Sequence, residues 1–196
     1  MSFVPAAGFA DPVTDANASF RAVLNAMAHP GRLFSITAQP PAPPVLGCGL
    51  GSILLALADR DTPLWLSETI AVPEVAGWIG FHTGAQLVGD HRMASFVLFH
   101  AQDRLLPLDD FSLGSPEYPD RSATLLIGVE RLQEGKGLTL SGPGIESTNR
   151  LDIEGIGPEF WQARVDLAPL YPLGLDLIFC TQNQVAALPR TTVVEA

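Results

Sequence analysis

The sequence predicts an α/β fold, a mixed sheet with helices on both faces. Segments with a helical apolar period alternate along the chain with short, near-continuous apolar runs. Those runs, such as Phe96-Val97-Leu98-Phe99, fit strands covered on both sides. One glycine-marked turn pair breaks the alternation, which makes the sheet mixed.

The elements follow in order. Asp11-Pro12 opens the first helix, with Asp11 as N-cap, Pro12 at the first helical position and Asp15 near the positive helix end. Phe20, Val23, Leu24 and Met27 recur at i, i+3, i+4 and i+7 and form the predicted core stripe. The helix should end near Ala28, because Pro30 disfavours helical dihedrals at His29 and Gly31 can take positive φ. A strand is expected over Arg32–Ile36, then a stiff proline loop over Gln39–Pro44. Leu46–Ala58 reads as a second helix, whose Gly47, Gly49, Gly51 and Ser52 permit close packing. Pro63–Ser67 is a buried strand and Val75–Phe81 a short helix opened by Pro73-Glu74. Ala94–Ala101 is a strand, Leu105–Phe111 a short helix, Gly114–Asp120 a loop and Ala123–Val129 a strand. Gln133–Gly137 reads as a tight turn from which Leu138–Leu140 returns as a hairpin. Ser141–Ser147 is a glycine loop. Pro158–Leu170 is a helix with Phe160, Val165 and Leu167 inward. Leu175–Cys180 is a strand, Val185–Leu188 starts another, and Arg190–Val194 closes the chain.

Length and composition set limits. The 196 residues fit one domain over 1–196. Hydrophobic residues make up 47% and charged residues 16%, enough for a core and low enough to leave apolar surface for a partner. The net charge of −10 argues against nucleic acid or an anionic membrane as partner. No apolar run nears the roughly 20 residues that span a bilayer. Met1–Pro5 lacks a basic leader, so a cytoplasmic protein is expected. Cys48 and Cys180 read as two buried reduced thiols.

The candidate chemistry is sparse. His29, His82, His91 and His100 match no ligand spacing, so no metal site is expected. The loop Ser141-Gly142-Pro143-Gly144 follows a strand and could cradle an anion; a shaped turn is the favoured reading, since no phosphate-loop or dinucleotide motif is present. The single lysine, Lys136, falls in an expected exposed turn, where a Schiff base would not form. Arg32, Arg121 and Arg190 follow turns and could hold phosphate or carboxylate, with local salt bridges as the alternative. The candidate anion or partner contacts are therefore His29, Arg32, Arg121, Ser141, Gly142, Gly144 and Arg190. No catalytic residue stands out.

Four stretches together resemble one family. They are Phe20-Arg21 through Met27 with Pro30-Gly31-Arg32, Gly114-Ser115 through Asp120, Leu140 through Ile145, and Tyr171-Pro172-Leu173-Gly174-Leu175-Asp176-Leu177 with Leu188-Pro189-Arg190-Thr191-Thr192. In order and spacing, from Gly8 to Val193, they resemble the PhnH family of the bacterial carbon–phosphorus lyase system. The resemblance implies a three-layer α/β/α sandwich similar to pyridoxal-phosphate-dependent transferases, without the cofactor. It implies a homodimer when isolated and the partners PhnG, PhnI and PhnJ, with PhnL in the coupling step. It further implies an accessory role, without activity alone, in joining a phosphonate to the ribose of a nucleoside triphosphate. The alternative is a subunit that binds the triphosphate or phosphonate directly. The family supplies no catalytic residue to carry over.

Overall fold

A computed structural model describes residues 6–104 and 106–195. The leader reading of Met1–Pro5, Leu105 of the expected 105–111 helix, and Ala196 of the 1–196 domain lie outside the described residues.

Helix α1 (Pro12–Ala28) starts as its residues dictate: the Asp11 carboxylate accepts the amides of Val13 and Thr14, both at 3.2 Å. It ends at His29, and Gly31 takes φ +84°. A Cβ at Gly31 would sit 2.8 Å from Asn149 and Leu140, so this stop also needs glycine for space. The chain continues through β1 (Phe34–Ser35), shorter than the expected strand, to α2 (Gly47–Leu57), β2 (Leu64–Leu66) and α3 (Pro73–His82). Then come β3 (Phe96–His100), β4 (Thr124–Gly128), β5 (Leu132–Ser141) and β6 (Asn149–Ile153). Helix α4 (Pro158–Leu167), β7 (Asp176–Cys180), β8 (Gln184–Leu188) and β9 (Val193–Glu195) complete it.

The main sheet is mixed, in the order β1-β8-β7-β4-β3-β2. Strands β2, β3, β4 and β7 run parallel, while β8 is antiparallel to both β7 and β1. Its central strands are buried on both faces, as their apolar runs require. Val97, Phe99, Leu125, Ile127, Leu177 and Phe179 enter one core. Leu98, Leu126 and Ile178 enter the other. The second core is closed by α1, α2 and α3 through Val23, Ile53 and Trp78. The first is closed by α4 and by a separate antiparallel sheet, β6-β5-β9.

Several expectations are corrected. Phe20 and Leu24 are not core: they are 46% and 52% exposed. The buried face of α1 is Ser19, Ala22, Val23 and Ala26, rotated by about one residue from the large apolar stripe. Small side chains there let the helix approach α2 and β8 closely. The hairpin at 133–140 is one strand, β5, which bulges between Glu134 and Leu138. Gly135 and Gly137 take positive φ there, so the local turn signal was real but served a bulge. The true reversal is the glycine loop that joins β5 to β6. The expected helix at 105–111 is a single 3-10 turn, Leu108–Asp110. Helix α4 stops at Leu167, and a 3-10 turn, Ala168–Leu170, follows. Val165 on α4 is 41% exposed, and Trp161 and Arg164 point inward with Phe160 and Leu167. Cys48 is half-buried; only Cys180 is enclosed.

Candidate functional site

The end of α1, the start of β1 and the β5–β6 loop meet at one corner and flank an open cleft of about 730 Å3. His29, Arg32, Phe34, Glu134 and Gly144 line it. Local geometry builds the corner. The Arg32 amide donates to the His29 carbonyl at 3.2 Å, the reverse turn that Pro30-Gly31 permits. Asn149 Nδ2 donates to the Pro30 carbonyl at 2.7 Å, and the Leu33 amide donates to Glu134 Oε1 at 2.5 Å. These bonds pin segments more than a hundred residues apart. Gly144 has φ +82°, and a Cβ there would lie 2.3 Å from the Ala28 carbonyl oxygen. The His29 ring stacks near Phe34, centroids 6.3 Å apart. Among the described hydrogen bonds and ion pairs, the side chains of His29 and Arg32 have no partner, and both residues are exposed. Two groups able to carry positive charge therefore line the cleft beside Glu134 and Glu146.

The remaining candidates lie elsewhere. Arg190 is partly buried and committed. Its Nη2 donates to Asp176 Oδ2 at 2.6 Å and to Ser122 Oγ at 2.5 Å, and its Nη1 to the Pro119 carbonyl at 2.6 Å. Arg121 is exposed, with its guanidinium 4.1 Å from the Tyr118 ring centroid. Ser141 pairs with Val193 across β5 and β9. Gly142, at φ +125°, lies against Thr191, where a Cβ would come 2.9 Å from the carbonyl oxygen. The glycine loop is thus shaped by close backbone contacts on two sides.

Two polar clusters have no counterpart among the sequence candidates. The Asp103 carboxylate accepts Ser67 Oγ, Thr69 Oγ1 and the His100 amide at 2.6–2.9 Å. Burial pushes its pKa up, but those hydrogen bonds outweigh it and hold the group below the usual carboxylate range. Arg164 is 3% exposed and donates to the carbonyls of Pro189 and Thr192. Burial lowers its pKa, against the opposing charge of Asp176. Its spacing of three from Trp161 and four from Phe160 was the available signal. Among the described residues no group of three His, Cys, Asp or Glu side chains could hold a metal ion. Among them, too, no helix is long and apolar enough to cross a membrane. Lys136 is exposed, in the β5 bulge.

Comparison with known proteins places this geometry in a family. The chain is 38% identical over 189 residues to the alpha-D-ribose 1-methylphosphonate 5-triphosphate synthase subunit PhnH of Rhizobium meliloti (strain 1021), covering 95% of this chain and 94% of that one. It is 43% identical over 99 residues to the putative C-P lyase subunit protein HtxG of Stutzerimonas stutzeri, half of each chain. The profile of the bacterial phosphonate metabolism protein (PhnH) family matches residues 7–195. The chain belongs to the PhnH family of bacterial phosphonate metabolism proteins.

Proposed function

We propose that the chain is an accessory subunit of a carbon–phosphorus lyase core complex. There it supports formation of alpha-D-ribose 1-methylphosphonate 5-triphosphate from ATP and methylphosphonate. The observation that carries this reading is the near full-length match to the Rhizobium meliloti synthase subunit. The surface of α1 supports it. Val13, Phe20 and Leu24 share one outward helical face and are 81%, 46% and 52% exposed. Such a face suits burial against another subunit. The proposed partners are PhnG, PhnI and PhnJ, with PhnL in the coupling step and a homodimer when the chain is isolated.

The finer fold description that accompanies this reading is a single-domain, three-layer α/β/α sandwich related to pyridoxal-phosphate-dependent transferases, without the cofactor. The two buried faces of the main sheet support the layering. The proposed location is the cytoplasm, where the nucleoside triphosphate is found. Co-expression of the tagged chain with PhnG, PhnI and PhnJ tests the proposal. Co-elution as one complex is expected. Elution of the chain alone, while the other subunits assemble, would overturn it.

One observation favours a second reading, direct contact with substrate. Three of the seven sequence candidates, His29, Arg32 and Gly144, line a single cleft. An anion such as methylphosphonate or a triphosphate would meet Arg32 there. Calorimetric titration of either compound into the chain and its Arg32→Ala variant decides it. No heat with the unmodified chain would remove this reading and leave the accessory role standing.

A further inference from the structure

The charges of the corner cleft do not balance without a proton. Its lining holds one arginine, Arg32, one histidine, His29, and two carboxylates, Glu134 and Glu146. Glu134 is held there, because its Oε1 accepts the Leu33 amide at 2.5 Å. With a neutral imidazole the two carboxylates outweigh Arg32; with an imidazolium the signs balance. An anion that met Arg32 alone would face an unfavourable field, in a chain of net charge −10.

His29 is the histidine placed to change this balance. Nε2 of His82 and Nε2 of His100 donate to the carbonyls of Ala6 and Val45, at 2.8 and 2.7 Å. The His91 ring packs edge-on against Trp65 and Phe111. Of the four, His29 alone is exposed, and its ring has no hydrogen-bond partner among the described residues. It is the C-cap of α1, where the negative end of the helix dipole favours a cation. Arg32 stands on the same turn, its amide bonded to the His29 carbonyl. The β5–β6 loop brings neutral donors to the same cleft. Ser147 and Thr148 are exposed, and their amides, with that of Glu146, have no acceptor among the described hydrogen bonds.

We infer that His29, as imidazolium, is the second contact of the corner for a tetrahedral oxyanion, and that its proton conditions binding. This inference rests on the direct-contact reading above and specifies it. Arg32 supplies a planar fork, His29 supplies an N–H and the charge that offsets the carboxylates, and the loop supplies uncharged donors. The charged groups that line the cleft with His29 are Arg32 from its own turn, Glu134 from β5 and Glu146 from the loop. Imidazole is the side chain that changes charge between about pH 5 and 8. A bound anion favours the protonated ring, so binding takes up a proton and weakens as pH rises. A phosphonate and the terminal phosphate of a nucleoside triphosphate share this chemistry.

Sulfate is the probe, because it stays a dianion across this range and its pH dependence reports the protein alone. It is titrated by calorimetry into the free, full-length chain at about pH 5.5 and about pH 8. Binding about tenfold tighter at the lower pH is expected, as for one hydrogen bond to a charged group. Buffers of different ionisation enthalpy should report uptake of a proton. The imidazole signal of His29 should titrate at higher pH with sulfate present, while those of His82 and His100 stay. His29→Gln keeps a donor without the charge; it should keep the melting temperature and bind sulfate weakly and equally at both pH values. Arg32→Ala should lose binding at both. Methylphosphonate and ATP are then competed against sulfate at about pH 6.5, and the one that displaces it is the source of the oxyanion. Equal affinity at both pH values in the unmodified chain, or an unchanged pH dependence in His29→Gln, would overturn the inference and leave direct contact through Arg32 standing. No saturable heat from sulfate, or no displacement by either competitor, would overturn the direct-contact reading as well.

Discussion

The Arg190–Asp176 pair is the least exposed ion pair among the described residues, and truncating it gives a quantitative test. The two side chains are only 15% and 17% exposed. The Arg190 fork joins two separate pieces of chain: Asp176 at the start of β7, and the 3-10 turn before β4, through Ser122 Oγ and the Pro119 carbonyl. The Arg190 amide also donates to Asp176 Oδ1 at 2.8 Å. Arg190→Ala leaves Asp176 with that amide alone and strips Ser122 and Pro119 of their donor. Breaking one partner of a buried pair costs about 3–5 kcal/mol, and the residual exposure of this pair places it at the low end, about 3 kcal/mol. For a chain of this size that corresponds to a fall of about 6–12 °C in melting temperature. Arg190→Lys keeps the charge but loses the planar fork, so an intermediate cost is expected. Equilibrium urea unfolding of both variants and of Asp176→Asn, combined as a double-mutant cycle, measures the coupling. A loss below about 1 kcal/mol in Arg190→Ala would mean that the pair behaves as a surface contact and the reasoning is wrong.

Other outcomes follow from burial and spacing. Leu24→Ala should change stability by less than about 0.5 kcal/mol, because the side chain is half exposed, whereas Ile53→Ala, fully enclosed, should cost about 2–5 kcal/mol in the same urea assay. Gly49→Ala should be strongly destabilising despite alanine's better helix propensity, since its Cβ would collide with the Thr181 carbonyl; a neutral melting temperature would contradict the close packing of α2. Burial pushes the Cys180 thiol up to about 12, from 9.0 when free. The folded state then keeps a proton that the unfolded chain releases, so this group's contribution is complete below pH 9 and is lost as pH rises toward 12. Cys180→Ala should remove that part of the alkaline slope, and a thiol reagent at mildly alkaline pH should label Cys48 and spare Cys180. For Asp103 the sign is opposite. Its lowered pKa contributes stability above the free value of 3.8 that is lost as pH falls through the folded value, and carboxyl carbon NMR should place its midpoint below 3.8.

Much of the fold could be read from the chain because local chemistry and tertiary position agree there. Asp11-Pro12 and Pro30-Gly31 bracket α1 by capping and dihedral restriction, whatever surrounds them. The apolar runs of β3, β4 and β7 predict two-sided burial because each successive side chain must enter one core or the other. Failures arise where a local signal has two uses. Gly135 and Gly137 take the positive φ of a turn, but β6 pairs across the whole segment and turns it into a bulge. Asn149–Ile153 has a mixed burial pattern and becomes a strand only through that pairing. The inward turn of Arg164 breaks the hydrophobic reading of α4, since its partners are carbonyls near the far end of the chain.

The site candidates divide along the same line. The corner was visible because His29 and Arg32 flank a stop that local rules predict, although nothing local shows that Glu134 and Gly144 close it. A salt bridge was one of the two readings of Arg190, but its partners could not be picked out, because they lie 14 to 71 residues away.

Helix α1 is where sequence pattern and structure part most tellingly. Hydropathy assigned its large apolar side chains to the core, but the helix packs inward through Ser19, Ala22, Val23 and Ala26 and turns Val13, Phe20 and Leu24 outward. A helix with only one apolar contact should concentrate its large hydrophobes on the buried face. One that keeps small residues inside and large ones outside is built for two neighbours: its own sheet, which it approaches closely, and a second surface that covers the outer stripe. The same helix ends at His29, so a subunit seated on that stripe would lie near the corner cleft. If this is the arrangement, paired substitution of Phe20 and Leu24 by serine should leave the melting temperature of the free chain nearly unchanged and abolish co-elution with PhnG, PhnI and PhnJ. Loss of folding in the free chain, or undiminished assembly, would return α1 to an ordinary one-sided helix.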